Sequence, residues 1–272
     1  MARKKKSEPT LTPELALKMF RSAETVWKPV HNEMDEDNAI FNLALIVRAP
    51  AGYNVVYPAT GNQIVMTAAD HIAGDVPKVS VPQAGLTKKA QDRSERLEKG
   101  LQAALYRMAA ALPENPLRTL VINGLWSGMM VAQGPLFDSE VWGEAPTMDD
   151  EGYADKVDEY ERDKRVDWPF IWKAVDPRHV FPDPGTTGKK WVIISYERLA
   201  GEIKNQWDID WKEMGFTEPP PDDVKLQWLE CWTETERLYM VGQAAISKEV
   251  PAFSRGGSPV DKVRKHRYGK PP

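Results

Sequence analysis

The segment at positions 171–191 constrains the fold of this chain more than any other. It reads IWKAVDPRHVFPDPGTTGKKW and carries two turn signals, Asp176-Pro177 and Asp183-Pro184-Gly185. Apolar residues such as Val180-Phe181 lie between them, which predicts short strands joined by tight turns. A helical pattern precedes the segment and a Trp-rich strand pattern follows it, so we expect an α+β fold.

Two consecutive helices are predicted in the first half of the chain. Residues 87–112 carry apolar side chains at three- and four-residue spacing, namely Leu97, Leu101, Leu105, Met108 and Leu112. Residues 117–133 follow after two prolines, and their Gly124 and Gly128 share one helical face. We expect this glycine face to let the second helix pack closely on the first, as a helical hairpin.

Shorter elements are predicted before the hairpin. Thr12 should cap a helix that has proline at its first position and ends before Pro29. Residues 31–38 are acidic and read as a solvated loop. Residues 63–74 predict a helix, and residues 75–82 alternate apolar and polar positions around two prolines, which suits an extended or edge strand.

The second half of the chain is predicted to be β-rich. Residues 224–232 and 238–241 read as two strands with a polar turn between them. Residues 196–215 predict a helix. Eight of the ten tryptophans lie between positions 142 and 232, and this density favours a β-rich layer with large aromatic contacts over a self-association surface.

A charged insertion occupies residues 148–167. From 149 to 167 there are nine acids and four bases, a net charge of −5. The pattern suits an exposed helix with ion pairs such as Asp158 with Arg162, and it suits a flexible surface loop equally well.

Composition excludes some classes of protein. The net charge of −4 excludes a generally basic nucleic-acid binder, but not a protein past which DNA slides. The single cysteine, Cys231, has no partner for an internal disulfide, which fits a reducing compartment. The most apolar window, 117–132, is short for a bilayer span and contains Arg118 and Asn123. No apolar run follows the basic residues 3–6, so we expect neither a signal peptide nor a membrane association.

No residue pattern indicates catalysis, a cofactor or a metal. The histidines are scattered without metal-ligand spacing, at His31, His71, His179 and His266. There is no phosphate loop and no nucleophile elbow. We therefore expect no enzyme and no cofactor. One alternative stays open, because abundant acids and tryptophans would also suit a carbohydrate-active enzyme or a glycan-binding module.

A basic stretch lies near the end of the sequence. Residues 255–270 contain six bases and one acid, a net charge of +5. Arg264, Lys265, Arg267 and Lys270 are candidates for contact with a DNA phosphate backbone. The same stretch would also suit the solvated rim of a loop.

Several short motifs follow one another in order along the chain. Residues 76–81 read V-P-K-V-S-V, residues 175–184 read V-D-P-R-H-V-F-P-D-P, residues 228–232 read W-L-E-C-W, and residues 266–272 read H-R-Y-G-K-P-P. Together with the two long helices, this order resembles the portal-protein family of tailed bacteriophages over roughly residues 38–272. The matching family elements are V-P-x-V-x-V, D-P-x-x-V-x-x-D-P, v-E-x-W and H-x-Y-G-x-x-P.

The resemblance implies a fold, a function and partners. It implies a wing-like module in which a helical hairpin packs against a mixed, mainly antiparallel β-rich part. It also implies a ring, commonly of twelve subunits, at one capsid vertex, through which double-stranded DNA is packaged and ejected. The implied partners are further copies of the chain, the terminase large subunit, the major capsid protein, head–tail adaptor proteins and the DNA. The implied location is the virion, with the host cytoplasm during assembly.

The same resemblance suggests how the chain is divided. Residues 1–37 would form a tail, a helix and an acidic loop, and residues 38–136 a helical wing part with the hairpin. Residues 137–272 would form the β-rich wing part. Family members are longer, so we expect a fragment that ends before the stem, clip and crown portions.

Overall fold

The structure of this chain is a computed structural model that describes residues 11–44, 59–74, 76–110, 115–137, 145–148, 152–166, 170–185, 190–207, 209–212, 214, 216–242, 257–260 and 263–265. The helices are α1 (Pro13–Phe41), α2 (Thr60–Ala73), α3 (Lys88–Ala110), α4 (Pro116–Ser127), α5 (Tyr153–Val166) and α6 (Ala200–Gln206). The strands are β1 (Val131–Phe137), β2 (Phe170–Val175), β3 (Val180–Pro182), β4 (Trp191–Leu199), β5 (Lys225–Thr233), β6 (Glu236–Gly242), β7 (Gly257–Pro259) and β8 (Arg264–Lys265). The α+β class predicted from the sequence is confirmed.

The chain forms two compact units. The first comprises residues 1–33 and 178–272, and the second comprises residues 34–177. The first unit contains an antiparallel sheet with the strand order β3-β4-β5-β6-β7, in which β8 also pairs with β6. The second contains the antiparallel pair β1-β2.

One face of the larger sheet packs against the first part of α1. The buried members of this cluster are Leu11, Ala16, Phe20, Ala23, Phe181, Ile193, Leu229, Cys231, Leu238 and Met240. Side chains alternate between the two faces of a strand, so Leu229 and Cys231 of β5 and Leu238 and Met240 of β6 lie on the same face and belong to this cluster. The predicted cap at Thr12 is confirmed, because its Oγ1 accepts the backbone N–H of Leu15 at 3.2 Å.

α1 continues through Pro29, so the prediction that it ends before this residue was wrong. Proline removes one helical hydrogen bond, but Pro29 is exposed and water can satisfy the freed carbonyl. Tertiary contacts hold the helix on both sides of the proline. Trp27 Nε1 donates to the carbonyl of Pro182 at 2.9 Å, and His31 Nε2 donates to the carbonyl of Val180 at 3.1 Å. The loop predicted at 31–38 is therefore helical.

The opposite face of the sheet packs against α6 and the segment after it. The buried members are Ala200, Ile203, Trp211, Leu226, Trp228 and Val241. Here the helix predicted at 196–215 was largely wrong, because Tyr196 to Leu199 continue β4 and pair with Trp228 to Lys225 of β5. The apolar spacing of four that suggested a long helix reflects the short helix α6, after which Trp207 and Trp211 pack in the cluster on the sheet.

In the second unit α4 packs on α2. Ala69, Ala73 and Val121 form its buried contact. Asn115 caps α4 by accepting the N–H of Leu117 at 3.0 Å, and its amide donates to the carbonyl of Ala73 at 3.1 Å. The expected α3–α4 hairpin contact through glycines was wrong, since small alanines on α2 provide the close approach instead.

The two glycines of α4 have other roles. Gly128 lies at φ +71° as the C-cap, and its N–H donates to the carbonyl of Gly124 at 3.0 Å. The helix therefore ends before residue 133, where the sequence had placed its end, and β1 begins at Val131. A Cβ on Gly124 would lie 2.5 Å from Cγ of Met130, so this glycine makes room for the turn into β1.

Residues 76–82 are extended, as predicted, but α3 holds them rather than a sheet. The N–H of Val79 donates to Gln102 Oε1 at 2.7 Å, and the N–H of Val81 donates to Glu98 Oε2 at 3.3 Å. Ser94 donates its hydroxyl to the carbonyl of Val81. Ser94, Glu98 and Gln102 are spaced by four, so one polar stripe of α3 satisfies the backbone of the extended segment.

The charged insertion contains α5. The helical alternative for residues 148–167 is thus the one adopted at 153–166, while 149–151 and 167 lie outside the described residues. Arg162 pairs with Glu159 at 3.4 Å, whereas the pair named from the sequence was Arg162 with Asp158. On a helix, side chains three residues apart can form an ion pair as readily as side chains four residues apart.

Candidate functional site

Two of the four predicted DNA-contact residues fall within the described structure. Arg264 and Lys265 form β8, and both are exposed. Arg267 and Lys270 lie outside the described residues. The structure therefore places half of the predicted set on an edge of the larger sheet.

Strand pairing determines the charge distribution at this edge. Arg264 lies opposite Arg237 on β6, and Lys265 lies opposite Glu236. Glu236 also accepts the N–H of Leu11 at 2.7 Å. Like charges on directly opposed residues repel, and a phosphate between Arg237 and Arg264 would stabilise them. The edge can contact an anion, but these few cations do not form an extended basic surface.

A buried carboxylate lies at the centre of the sheet face that carries these arginines. Glu230, on β5, is only 6% exposed. Its Oε1 accepts the phenol O–H of Tyr196 at 2.9 Å and the indole N–H of Trp228 at 3.1 Å. Its Oε2 accepts the indole N–H of Trp232 at 3.3 Å. Three neutral donors thus compensate for the removal of this charge from water.

The carboxylate changes the acidity of the tyrosines around it. Burial raises the pKa of Tyr196 above its ordinary value, and the charge and hydrogen bond of Glu230 raise it further. Burial and the Glu230 charge also raise the pKa of Tyr239 to about 12, while Arg237 and Arg264 act in the opposite direction. Both phenols therefore stay protonated at neutral pH, which suits a donor role and not that of a general base.

Two arginines cover the edges of the aromatic layer. The guanidinium of Arg198 lies 5.2 Å from the ring centroid of Trp207 and 5.0 Å from that of Trp228. The guanidinium of Arg237 lies 5.5 Å from the centroid of Trp232. These cation–π contacts place positive charge around the buried carboxylate and stabilise the layer.

The layer does not have the geometry expected of a sugar-binding platform. Trp228 and Trp232 are 0% and 1% exposed, and Trp211 is 7% exposed. A tryptophan that stacks on a sugar must present its ring to a cleft. The acidic residue beside these rings, Glu230, is occupied by three hydrogen bonds. Trp211, Trp228 and Trp232 pack as core, as the density of tryptophan in the sequence suggested, whereas Trp142 and Trp168 lie outside the described residues.

Cys231 and His31 also occupy structural positions. Cys231 is fully buried, and burial raises the pKa of its thiol to about 12, so the reactive thiolate is suppressed at neutral pH. His31 is buried against Phe181 at 4.8 Å between ring centroids. Within the described ranges no three His, Cys, Asp or Glu side chains come together as metal ligands.

Two of the cavities lined by described residues lie in the second unit. The larger, of about 510 Å³, is open to solvent between α3 and the chain before it. The smaller, of about 60 Å³, is lined by Val76, Leu105 and Trp172 among others. Among the described residues that line these two cavities there is no carboxylate.

No family model matches the chain, and no curated protein matches it. Among the described helices none is both long and apolar enough to cross a membrane.

Sequence reasoning missed the role of Glu230. The acid alternates with tryptophan in Trp228-Leu229-Glu230-Cys231-Trp232, so a strand puts all three polar-tipped side chains on one face. An acid between two tryptophans at period two is a signal that could have indicated a buried, indole-bound carboxylate.

Proposed function

We propose that this chain is part of a structural subunit of a tailed-bacteriophage portal vertex, the ring through which double-stranded DNA is packaged and ejected. The observation that carries the proposal is the ordered set of portal-like motifs. Those motifs that lie within the described residues form strands and turns of the larger sheet or an extended segment bound by α3. In such a subunit the terminase large subunit, the major capsid protein and head–tail adaptors would be docking partners.

Two of the motifs build the larger sheet. In the D-P-x-x-V-x-x-D-P element, Pro177 to His179 form a single 3-10 turn and Val180 begins β3. Asp183 closes the next turn by accepting the N–H of Gly185 at 3.0 Å, which leads the chain back as β4. The v-E-x-W element is the central strand β5 and supplies Glu230.

A third motif organises the second unit. The V-P-x-V-x-V segment is the extended stretch whose backbone is bound by the polar stripe of α3. Pro77 and Pro82, at the two ends of the segment, have no backbone N–H. The N–H groups that can donate therefore lie between them, where α3 supplies the acceptors for Val79 and Val81.

The proposed function requires geometry rather than catalysis. A head-to-tail contact between copies closes into a ring when its rotation divides the circle. DNA slides through a channel that holds it weakly, whereas a strongly basic lining would retain it by counterion release. The net charge of −4 and the small cationic edge at Arg264 and Lys265 are compatible with such a channel protein.

The carbohydrate-active alternative gains no support from the aromatic layer. Trp228 and Trp232 are buried, and the acid between them, Glu230, accepts hydrogen bonds from Tyr196, Trp228 and Trp232.

Ring formation tests the proposal. The chain and a version extended by the codons downstream in its gene would be compared by light scattering and negative-stain electron microscopy. We expect closed rings from the extended version and smaller species from the chain alone. Monomers from the extended version, or no downstream reading frame, would overturn the proposal.

A further inference from the structure

The extended segment 76–82 is bound to α3 along one of its two edges. The backbone N–H groups of Val79 and Val81 donate to side-chain oxygens of α3 at 2.7 and 3.3 Å. The carbonyls of Pro77 and Val81 accept hydrogen bonds from side chains of the same helix. The backbone groups of the odd-numbered residues 77, 79 and 81 therefore face α3.

The other edge of the segment is open. In an extended chain, the backbone N–H and C=O groups of successive residues point alternately to the two sides. Those of Lys78 and Ser80 therefore point away from α3. Both residues are exposed, and among the described residues neither backbone has a hydrogen-bond partner. This edge thus presents two donors and two acceptors to the solvent.

The prolines of the segment leave these four groups intact. Pro77 lacks its N–H on the side that faces α3, so it does not interrupt the open edge. Pro82 points the same way as Lys78 and Ser80, and its missing N–H ends the row of donors. An exposed edge with intact donors and acceptors is a template for pairing with another strand.

The open edge is complementary to itself. If Val79 of one copy lies opposite Val79 of another in an antiparallel pair, Lys78 of each copy lies opposite Ser80 of the other. Each such pair exchanges two backbone hydrogen bonds, so all four groups of both copies are satisfied. The two valines form a pair in which side chains approach closely, and no like charges lie directly opposite each other.

We propose that residues 76–82 pair with the same segment of a second copy of this chain, antiparallel and with the two-fold axis at Val79. A parallel arrangement would instead place the two Lys78 side chains next to each other. The contact uses the same surface on both copies, so it is separate from the head-to-tail contact that a portal ring requires. Few residues take part, and the dimer is therefore expected to be weak.

Charges placed at Ser80 test the register. Ser80→Glu would lie opposite Lys78 of the second copy and should strengthen dimerisation about threefold or more, whereas Ser80→Lys should weaken it by a similar factor. The exchange of Lys78→Glu with Ser80→Lys restores opposite charges and should dimerise like Ser80→Glu, which has the same net charge. Sedimentation velocity of the whole chain over a wide range of concentration would measure these differences.

A proline tests the backbone hydrogen bonds. Ser80→Pro removes one donor of the open edge from each copy and leaves the bonds of Val79 and Val81 to α3 in place. We expect it to weaken dimerisation about tenfold or more. The matched control, Ser80→Thr, keeps the N–H and should dimerise like the wild type. Circular dichroism would verify that each variant is folded.

A disulfide tests the two-fold axis. Cα atoms of a directly opposed pair of this kind are about 4.5 Å apart, which is within the range of a disulfide. Val79→Cys should therefore form a covalent dimer under mild oxidation, visible on a non-reducing gel. Cys231 is fully buried and should not compete. The control, Gln83→Cys, is exposed but four residues from the axis, so its two copies would lie too far apart to join.

Three results would overturn the inference. The first is a chain that stays monomeric at every concentration, both as the wild type and as Ser80→Glu, which would leave the edge to solvent or to a strand of another protein. The second is a charge series that does not follow the order given by the register. The third is a Val79→Cys chain that crosslinks no faster than the Gln83→Cys control.

Discussion

The phenol of Tyr196 donates to Oε1 of Glu230 at 2.9 Å across strands β4 and β5. Tyr196 is directly opposite Trp228 in the register, so Glu230 is its diagonal neighbour. This bond ties two central strands together through a buried charge. Removing either the carboxylate or one of its donors would therefore leave a buried polar group without its hydrogen-bond partner and lower the stability of the fold.

Replacing Glu230 by Gln should destabilise the first unit by about 2–4 kcal/mol. The amide nitrogen of Gln is a donor, and it would face the indole N–H of Trp228 or of Trp232, neither of which can accept a hydrogen bond. Urea unfolding followed by tryptophan fluorescence would measure the change. The exposed neighbour Glu234 offers a matched control, Glu234→Gln, with an expected effect within about 0.5 kcal/mol. Equal effects from the two variants would show that Glu230 is not a structural acceptor.

The fold should lose stability in alkali before the tyrosines ionise fully. Burial raises the pKa of Cys231 from 9.0 to about 12, and that of Tyr239 from 10.0 to about 12. The unfolded chain releases these protons at lower pH than the folded chain, so the free energy of unfolding falls from about pH 9 up to about pH 12. The loss should be on the order of a few kcal/mol.

A Cys231→Ala variant separates the two groups. It should be less stable at neutral pH, because a buried side chain becomes smaller. Its decline should begin nearer pH 10, where unfolded tyrosine titrates, instead of pH 9. Urea unfolding over this pH range would check this, and a decline identical to that of the wild type would mean that the thiol makes no contribution.

Pro29→Ala should stabilise α1. Proline inside a helix costs about 3 kcal/mol relative to alanine, although it also restricts the unfolded chain, so a net gain of about 2 kcal/mol is expected. Thermal unfolding would show a higher midpoint. The adjacent exposed residue gives a control, Lys28→Ala, with little expected change. A lower midpoint for Pro29→Ala would indicate that the proline makes stabilising contacts of its own.

Gln102→Ala should loosen the extended segment without unfolding α3. Gln102 accepts from the N–H of Val79 at 2.7 Å and donates to the carbonyl of Pro77 at 3.1 Å. Loss of one backbone hydrogen bond of about 1–1.5 kcal/mol should speed hydrogen exchange at Val79 about tenfold. Gln91→Ala, which loses only a surface bond to Glu95, is the control. Unchanged exchange at Val79 in the Gln102 variant would show that the side chain of Gln102 does not hold the extended segment.

Local patterns in the sequence predicted much of the fold. The cap at Thr12, the helix that became α3, the β5–β6 hairpin and the turn at Asp183 were confirmed. These features depend on capping, on turn residues and on the period of apolar side chains, all of which act over a few residues. The DNA-contact candidates Arg264 and Lys265 were placed on an exposed strand, while their role stays a prediction.

Other features were decided by contacts between residues far apart in sequence. β4 extends through Tyr196 because β5 supplies its hydrogen-bond partners, and α1 passes Pro29 because Trp27 and His31 are bound to β3. The sequence by itself determined which segments could be helix or strand and where turns were favoured. Only the tertiary structure decided that Glu230 is buried and bound by Tyr196, because Tyr196 lies on β4 and reaches β5 only when the sheet forms.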